Sequence, residues 1–383
     1  MDKIVTADPS GLYHTILEWT TQEEVISYLY NKAQAADISI CAGKERFTND
    51  SLGLKHHSTN LNGFHYNRDI LKAAVANKYV KIVSNRSDSL YLSIEKSSPS
   101  SMKNSLFSGI SAISKPSSIE KERCIIAFDY TTEHFYVEVN DRWIHGWTGE
   151  NGVTGKYSYL TASIVNKEMR LPIITIPSPA GNIMPSEVLS LLELIGTVLP
   201  NIDLVLFDRG FYSKDLMVRL STLPVPYIIF VPKREMERRE LESMRYGEKK
   251  VIVHQFSFYS DNKKIRGDTK LAFLRKIFNR RTEEYLDWVF ATNMEEVNLE
   301  SIISQYKIRW RIETIRVQDE CRIKTKSKMI EVRYFLFAYE QLIEAIWYLF
   351  YSKEVSFKRF LIELSSVCNT PVENEERRRS PHT

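Results

Sequence analysis

The sequence contains no unbroken apolar run long enough to cross a bilayer. Its first residues, Met1 to Ser10, are too polar for a secretory signal peptide. Because both membrane signals are missing, we expect an intracellular protein that has no membrane partner.

Cysteine and glycine patterns exclude several kinds of site. The four cysteines are scattered without a CxxC pair or a Cys/His cluster, which excludes a disulfide framework and a zinc site. No glycine-rich loop of the kind that cradles phosphates is present. The histidines do not recur at the spacing of metal ligands.

Positive charge is concentrated in two segments, although the net charge is only +4. Residues 232–281 hold fifteen Lys and Arg against seven Asp and Glu, and residues 306–333 hold nine against four. Such segments can bind a polyanion such as DNA. The alternative is that they are solvated faces, which is the commoner origin of charge runs.

The length of 383 residues indicates two or three globular units. Residues 1–96 predict a helical DNA-binding domain, with two alternating segments that fit the wing of a winged helix. The Ser-rich segment 97–118 predicts a linker, and residues 353–383 predict a C-terminal helix and a basic tail.

Residues 119–232 and 286–352 predict an α/β catalytic core. The order three strands, helix, strand, helix, strand favours a ribonuclease H-like mixed sheet. The basic segment 233–285 interrupts this order with its own alternating run and predicts a β-rich insertion subdomain. The predicted strands are Arg123–Phe128, Lys156–Val165, Leu171–Ile176, Asp203–Phe207, Tyr227–Val231 and Leu286–Thr292, and the helices are Pro185–Val198 and Lys214–Leu220.

Three acidic residues are candidates for metal chemistry. Asp129 and Asp208 each follow a buried strand run, where ligands collect in open sheets. Either could instead be a turn former or a helix cap. In a predicted helix that begins near Leu299, Tyr306, Arg309 and Glu313 fall on one face. The alternative there is an exposed helix with an ion pair between Arg309 and Glu313.

These motifs resemble the DDE transposases of prokaryotic insertion sequences that carry a Tyr-x2-Arg-x3-Glu signature. Tyr306, Arg309 and Glu313 match the signature, and Phe207-Asp-Arg-Gly-Phe-Tyr and Phe128-Asp-Tyr-Thr match the two aspartate motifs. The resemblance covers about residues 124–349. It implies that Asp129, Asp208 and Glu313 are catalytic and hold two Mg²⁺ or Mn²⁺ ions.

The resemblance also implies DNA contacts outside the acidic residues. Tyr306 and Arg309 would bind phosphates beside the scissile bond. The signature Lys seven residues after the glutamate is replaced here by Glu320, and Lys324, one turn further on the same face, is the candidate substitute. Trp288 matches the Trp-Val-x-x-Thr context in which hairpin-forming relatives stack a flipped base. Packing in the core is the alternative for this tryptophan.

The sequence therefore predicts a cut-and-paste transposase, cytoplasmic and nucleoid-associated. Its expected partners are terminal inverted repeats, target DNA and a second copy of the chain in a synaptic complex. Two rivals remain: a decayed or domesticated copy that binds DNA without cutting, and another ribonuclease H-like nuclease. Inverted repeats and target duplications in the genomic flanks would discriminate them.

Overall fold

The computed structural model describes residues 95, 98–114, 123–137, 141–146, 152–166, 170–181, 184–260, 262–279, 282–311, 323, 325–350, 352 and 356–361. The predicted N-terminal domain lies almost wholly outside these residues, as do Glu313, Lys324 and the C-terminal tail. The chain divides into two compact units. One is Ser114–Thr314, and the other combines Met1–Ile113 with Ile315–Thr383.

A helix replaces most of the segment that the sequence predicted to be a linker. Helix α1 (Pro99–Ser114) begins with a proline, which suits the first turn. Its Met102, Leu106 and Ile110 are buried and recur every four positions. The serine content that suggested a linker is therefore outweighed by an apolar stripe of helical period.

The unit Ser114–Thr314 is built on a mixed sheet of nine described strands. The strands are β1 (Cys124–Phe135), β2 (His145–Gly146), β3 (Gly155–Val165), β4 (Arg170–Ser178), β5 (Ile202–Phe207), β6 (Tyr227–Phe230), β7 (Lys249–Ser260), β8 (Lys263–Asn279) and β9 (Glu284–Thr292). Their order in space is β2-β3-β1-β5-β6-β9-β8-β7, and β4 also pairs with β3.

The centre of the sheet is parallel and its flanks are antiparallel. Strand β5 pairs in parallel with β1 and with β6, whereas β3 pairs antiparallel with β1 and β4. Helix α2 (Met184–Gly196) precedes β5, and α3 (Lys214–Leu220) connects β5 to β6. Apart from the two-residue β2, the predicted order of three strands, helix, strand, helix, strand is present.

Apolar periodicity explains both helices. In α2, Val188, Leu191, Leu192 and Ile195 are buried, which is the i, i+3, i+4, i+7 stripe of a helix that covers a sheet. In α3, the side chain of Ser213 caps the first turn by accepting a hydrogen bond from the Leu216 backbone N–H. Both helices therefore follow from local sequence.

The predicted insertion is β-rich, but its strands continue the main sheet instead of forming a separate subdomain. After α4 (Glu235–Ser243), β7 and β8 form an antiparallel hairpin. Strand β9 pairs with β8 on one side and with β6 on the other, which joins the hairpin to the core. The hairpin also packs on α3, because a Cβ at Gly267 would lie 2.5 Å from Val218 Cγ2.

The predicted core segment 286–352 is divided between the two units. Helix α5 (Ile302–Lys307) follows β9 in the sheet unit. Helix α6 (Ile330–Phe350) belongs to the other unit, since the division falls after Thr314. Among the residues that the structure describes, no helix is long and apolar enough to cross a membrane.

Candidate active site

Strand register brings the two candidate aspartates side by side. Phe128 of β1 pairs with Phe207 of β5 in the parallel ladder, and their rings stack at 5.2 Å between centroids. Asp129 and Asp208 are the residues that follow this pair in the chain. Because carboxyl ends of parallel strands share one edge, both carboxylates lie at the same edge of the sheet.

The structure corrects one detail of this expectation. Asp129 does not end its strand, because β1 continues to Phe135 through antiparallel pairing with β3, from Asp129–Thr161 to Phe135–Gly155. Asp129 instead marks the end of the parallel pairing with β5. Only Asp208 follows the last residue of its strand.

A short 3₁₀ turn fixes the chain after Asp208. The Phe211 N–H donates to the Asp208 carbonyl oxygen at 3.0 Å. The buried Phe211 ring packs on Phe207 and stacks on Tyr130, with centroid distances of 5.4 and 5.1 Å. The Asp-Arg-Gly-Phe sequence thus anchors the loop through its phenylalanine and leaves Asp208 at the edge.

Helix α5 tightens into a 3₁₀ turn over Ile308–Arg311. In that geometry residues three apart lie above one another, so Tyr306 and Arg309 share a face. Tyr306 and Arg309 are 1% and 2% exposed. The sequence predicted one regular helix through Glu313, which lies outside the described residues.

Arg309 joins the two aspartates. Its terminal nitrogens lie 3.9 Å from Asp129 Oδ1 and 3.7 Å from Asp208 Oδ1. Its Nε donates to the Tyr306 hydroxyl at 3.1 Å, and that hydroxyl donates to Asp208 Oδ1 at 3.4 Å. The side chains of Arg309, Tyr306, Asp129 and Asp208 thus form one contact cluster, the clamp, in which Arg309 and Tyr306 are buried and the two aspartates reach solvent.

Phosphate binding by Tyr306 and Arg309 stays a prediction, to which the clamp adds a second role. Both were predicted to bind phosphates, but in this structure they are buried and contact carboxylates. A buried guanidinium favours a position of the two carboxylates close to it, because a buried charge is costly unless an opposite charge lies nearby. Within the clamp, both residues are placed to position the aspartates.

The oxygen donors of the clamp suit a hard divalent cation. The Asp129 and Asp208 side chains are 19% and 37% exposed, so a cation can approach both from solvent. Among the described residues there is no group of three His, Cys, Asp or Glu side chains that could hold a metal. The predicted third ligand, Glu313, and the predicted phosphate contact, Lys324, lie outside those residues.

The opposite face of β1 holds a hydrogen-bonded group of another kind. Ser178 Oγ donates to Glu187 Oε2 at 2.9 Å. Burial raises the pKa of Glu187, and it also raises the pKa of Tyr130, which neighbours Asp129 in sequence. The Ser178–Glu187 hydrogen bond joins β4 to α2 on the face of β1 that carries Tyr130, away from Asp129.

Trp288 lies in a cluster of aromatic side chains, of which the sequence indicated only that this tryptophan could pack in the core. Trp288 is 5% exposed and packs on Phe230, Phe290 and Trp310 at centroid distances of 5.7, 5.9 and 6.2 Å. This burial favours the packing alternative over base stacking.

Lys307 and Trp310 were not singled out from the sequence. Lys307 Nζ lies 5.6 Å from the centre of the Trp288 ring and 5.4 Å from that of Trp310. It also donates to Asn279 Oδ1 at 3.2 Å. The sequence feature that could have identified both residues is their position in the Gln305–Arg311 segment, beside Tyr306 and Arg309. Lys307 thus ties this segment to the end of β8.

Comparison with known proteins gives the family. The sequence profile of the transposase DDE domain matches residues 120–327, more than half of the chain. Among solved structures, the chain is similar to a piggyBac transposase synaptic complex with hairpin DNA, with a TM-score of 0.45 and 12% identity, over 97% of this chain and 82% of that one. No curated protein matches. The matched segment contains Asp129, Asp208 and Glu313, and the chain belongs to the family of transposases with a DDE domain.

Proposed function

We propose that the chain cuts and rejoins DNA at the terminal inverted repeats of an insertion sequence, as a cut-and-paste transposase. One structural observation supports this proposal in addition to the family membership. Asp129 and Asp208 meet at one sheet edge and share a single guanidinium. Paired carboxylates at such an edge can hold the divalent cations that metal-dependent phosphoryl transfer uses.

The topology supports a ribonuclease H-like core for this activity. Strands β1, β3 and β4 are followed by α2, β5, α3 and β6 in the expected order, with β1, β5 and β6 parallel. We assign residues 119–232 and 286–314 to this core. Residues 1–96 remain the proposed DNA-binding domain.

The proposed metal ligands are Asp129, Asp208 and Glu313, which would hold two Mg²⁺ or Mn²⁺ ions. Bound cations would activate a water or a 3′-hydroxyl and stabilise the leaving oxygen. Tyr306 and Arg309 hold the first two carboxylates in place, through contacts of 3.4 to 3.9 Å with them. Lys324 is proposed to contact a phosphate.

The direct test uses duplex DNA that carries the genomic flanks of the coding sequence. With Mg²⁺ or Mn²⁺, the purified chain is expected to cut at one boundary of each flank and to yield joined products with a second duplex. Gel analysis of end-labelled strands measures both. Binding of the flanks without any cut strand would instead identify a decayed copy.

Exposed cations at the tip of the β7–β8 hairpin supply a proposed DNA surface. Lys263, Lys264 and Arg266 are exposed, and within the described part of the chain none of them forms an ion pair. By contrast, Lys249 and Lys250 at the base of the hairpin pair with acidic side chains. The tip of the hairpin therefore presents three exposed cations that no described acidic side chain neutralises.

Replacing Lys264 and Arg266 by alanine is expected to weaken DNA binding and to flatten its salt dependence. Each lost phosphate contact reduces the slope of log K against log salt by about 0.9, so the double variant should lose roughly 1 to 2 units. Fluorescence anisotropy with labelled duplex at several salt concentrations measures the slope.

The matched control replaces Lys249 and Lys250, which lie on the same hairpin but are already neutralised by Glu300 and Glu240. The control should keep most of the wild-type slope. Equal slopes in both double variants would mean that the tip is only a solvated face.

The active assembly is proposed to be a dimer on DNA, since two element ends must be joined in one complex. Such a protein acts in the cytoplasm, at the nucleoid. Its partners are the element ends and the target DNA.

A further inference from the structure

We propose that Arg309 is an internal counter-ion that sets how tightly Asp129 and Asp208 bind a divalent cation. In the absence of metal it holds the two carboxylates together, and it lowers their affinity for metal. The inference rests on the proposed metal-dependent function. It adds to that function a control on the concentration of divalent cation at which the site is occupied.

The guanidinium uses each of its three nitrogens for a different partner. Nε donates to the Tyr306 hydroxyl at 3.1 Å, and the two terminal nitrogens approach Asp129 and Asp208 at 3.9 and 3.7 Å. The Tyr306 hydroxyl in turn contacts Asp208. Arg309 is therefore fixed in orientation, because moving it would disturb three contacts at once.

The contacts to the carboxylates are longer than direct hydrogen bonds, which lie near 2.7–3.2 Å. The guanidinium consequently neutralises charge at 3.7–3.9 Å without taking up the carboxylate oxygens as tight hydrogen-bond acceptors. Arg309 approaches from the buried side, since it is 2% exposed, whereas both aspartates reach solvent. Each carboxylate therefore has a solvent-facing part that a cation can approach.

The charges of the three groups decide whether Arg309 raises or lowers the affinity for metal. Two carboxylates and one guanidinium carry a net charge of −1, and removing the guanidinium leaves −2. A nearby positive charge repels a divalent cation, and like carboxylates repel each other when no cation is present. Arg309 should therefore stabilise the metal-free site and weaken metal binding.

The test compares Arg309→Gln with Tyr306→Phe and Arg309→Lys, using Mn²⁺ alone as the probe. Titration calorimetry gives the dissociation constant, and melting temperature with and without Mn²⁺ gives a second readout. Arg309→Gln is expected to bind Mn²⁺ at least about tenfold more tightly than wild type, because a repelling charge is gone. It should also melt at a lower temperature without metal and show a larger stabilisation when Mn²⁺ is added.

The two control variants keep the positive charge. Tyr306→Phe removes the hydroxyl that contacts Arg309 Nε and Asp208 but leaves the guanidinium, and Arg309→Lys replaces the guanidinium with another cation. Because the positive charge remains in both, they should bind Mn²⁺ within a few-fold of wild type. Unchanged or weaker Mn²⁺ binding by Arg309→Gln overturns the inference. Failure of that variant to fold even in Mn²⁺ also overturns it, because the cation is expected to replace the lost charge.

Failure of the proposed function looks different in the same experiment. If neither wild type nor any of the variants binds Mn²⁺, the metal site itself is wrong, and both proposals fall. If wild type binds Mn²⁺ and Arg309→Gln binds it no better, the metal site stands and the counter-ion role alone is rejected.

Discussion

Replacing Asp208 by alanine is expected to reduce metal-dependent DNA cleavage by at least about a thousandfold, because it removes a ligand on which charge stabilisation at the reacting phosphate depends. The fold should survive. Asp208 is 37% exposed and lies at a strand end, outside the apolar core. The measurement is cleavage of end-labelled flanking DNA in Mg²⁺, beside binding of the same DNA. Asp129→Ala should behave in the same way, and so should Glu313→Ala.

The chain offers a matched control on the same strand. Asp203 of β5 also forms an ion pair of 3.7 Å, with Arg123, but at the opposite end of the strand from Asp208. Asp203→Ala should cleave DNA at the wild-type rate. Cleavage that persists in Asp208→Ala would refute the assignment of this aspartate to catalysis.

Replacing Trp288 by alanine is expected to lower thermal stability by a large amount. Its indole is buried against Phe230, Phe290 and Trp310, so truncation opens a cavity. Buried Trp→Ala changes cost about 3–5 kcal/mol. At roughly 2–4 °C per kcal/mol for a domain of this size, the melting temperature should fall by about 10 °C. Binding, nicking and later steps should decline together.

Tyr285 on the same strand is the matched control, since it is 63% exposed. Tyr285→Ala removes a comparable ring from the surface and should change the melting temperature little. A Trp288→Ala protein that melts normally, nicks DNA and fails only at hairpin formation would restore the base-stacking interpretation.

Local sequence was sufficient for much of the sheet and for the choice of acidic residues. Apolar runs located β5 and β6 to within one residue, because strands covered on both faces read as continuous hydrophobic segments. The residues after two such runs, Asp129 and Asp208, proved to be neighbours in space. The predicted helices α2 and α3 followed from stripes of helical period.

Segments where composition and periodicity disagree were predicted less well. Serine and proline suggested a linker where the stripe of Met102, Leu106 and Ile110 forms α1. The hairpin of β7 and β8 was correctly predicted to be β-rich, but its attachment to the core depends on β9, which pairs with strands on both sides. The period of apolar residues identifies a strand, but the partners of that strand depend on the other strands of the sheet.

The sequence by itself determined the buried strand runs, the family motifs and the two aspartates that follow such runs, because these depend on local periodicity and residue chemistry. Only the tertiary structure decided which side chains lie against these acidic residues. Tyr306 and Asp208 are 98 residues apart, and Arg309 is more distant still from Asp129, yet all four form one cluster. A helical pattern shows that one face of α5 is buried. It does not show that the face covers two carboxylates, so the contacts of Arg309 with both aspartates appear only in the tertiary structure.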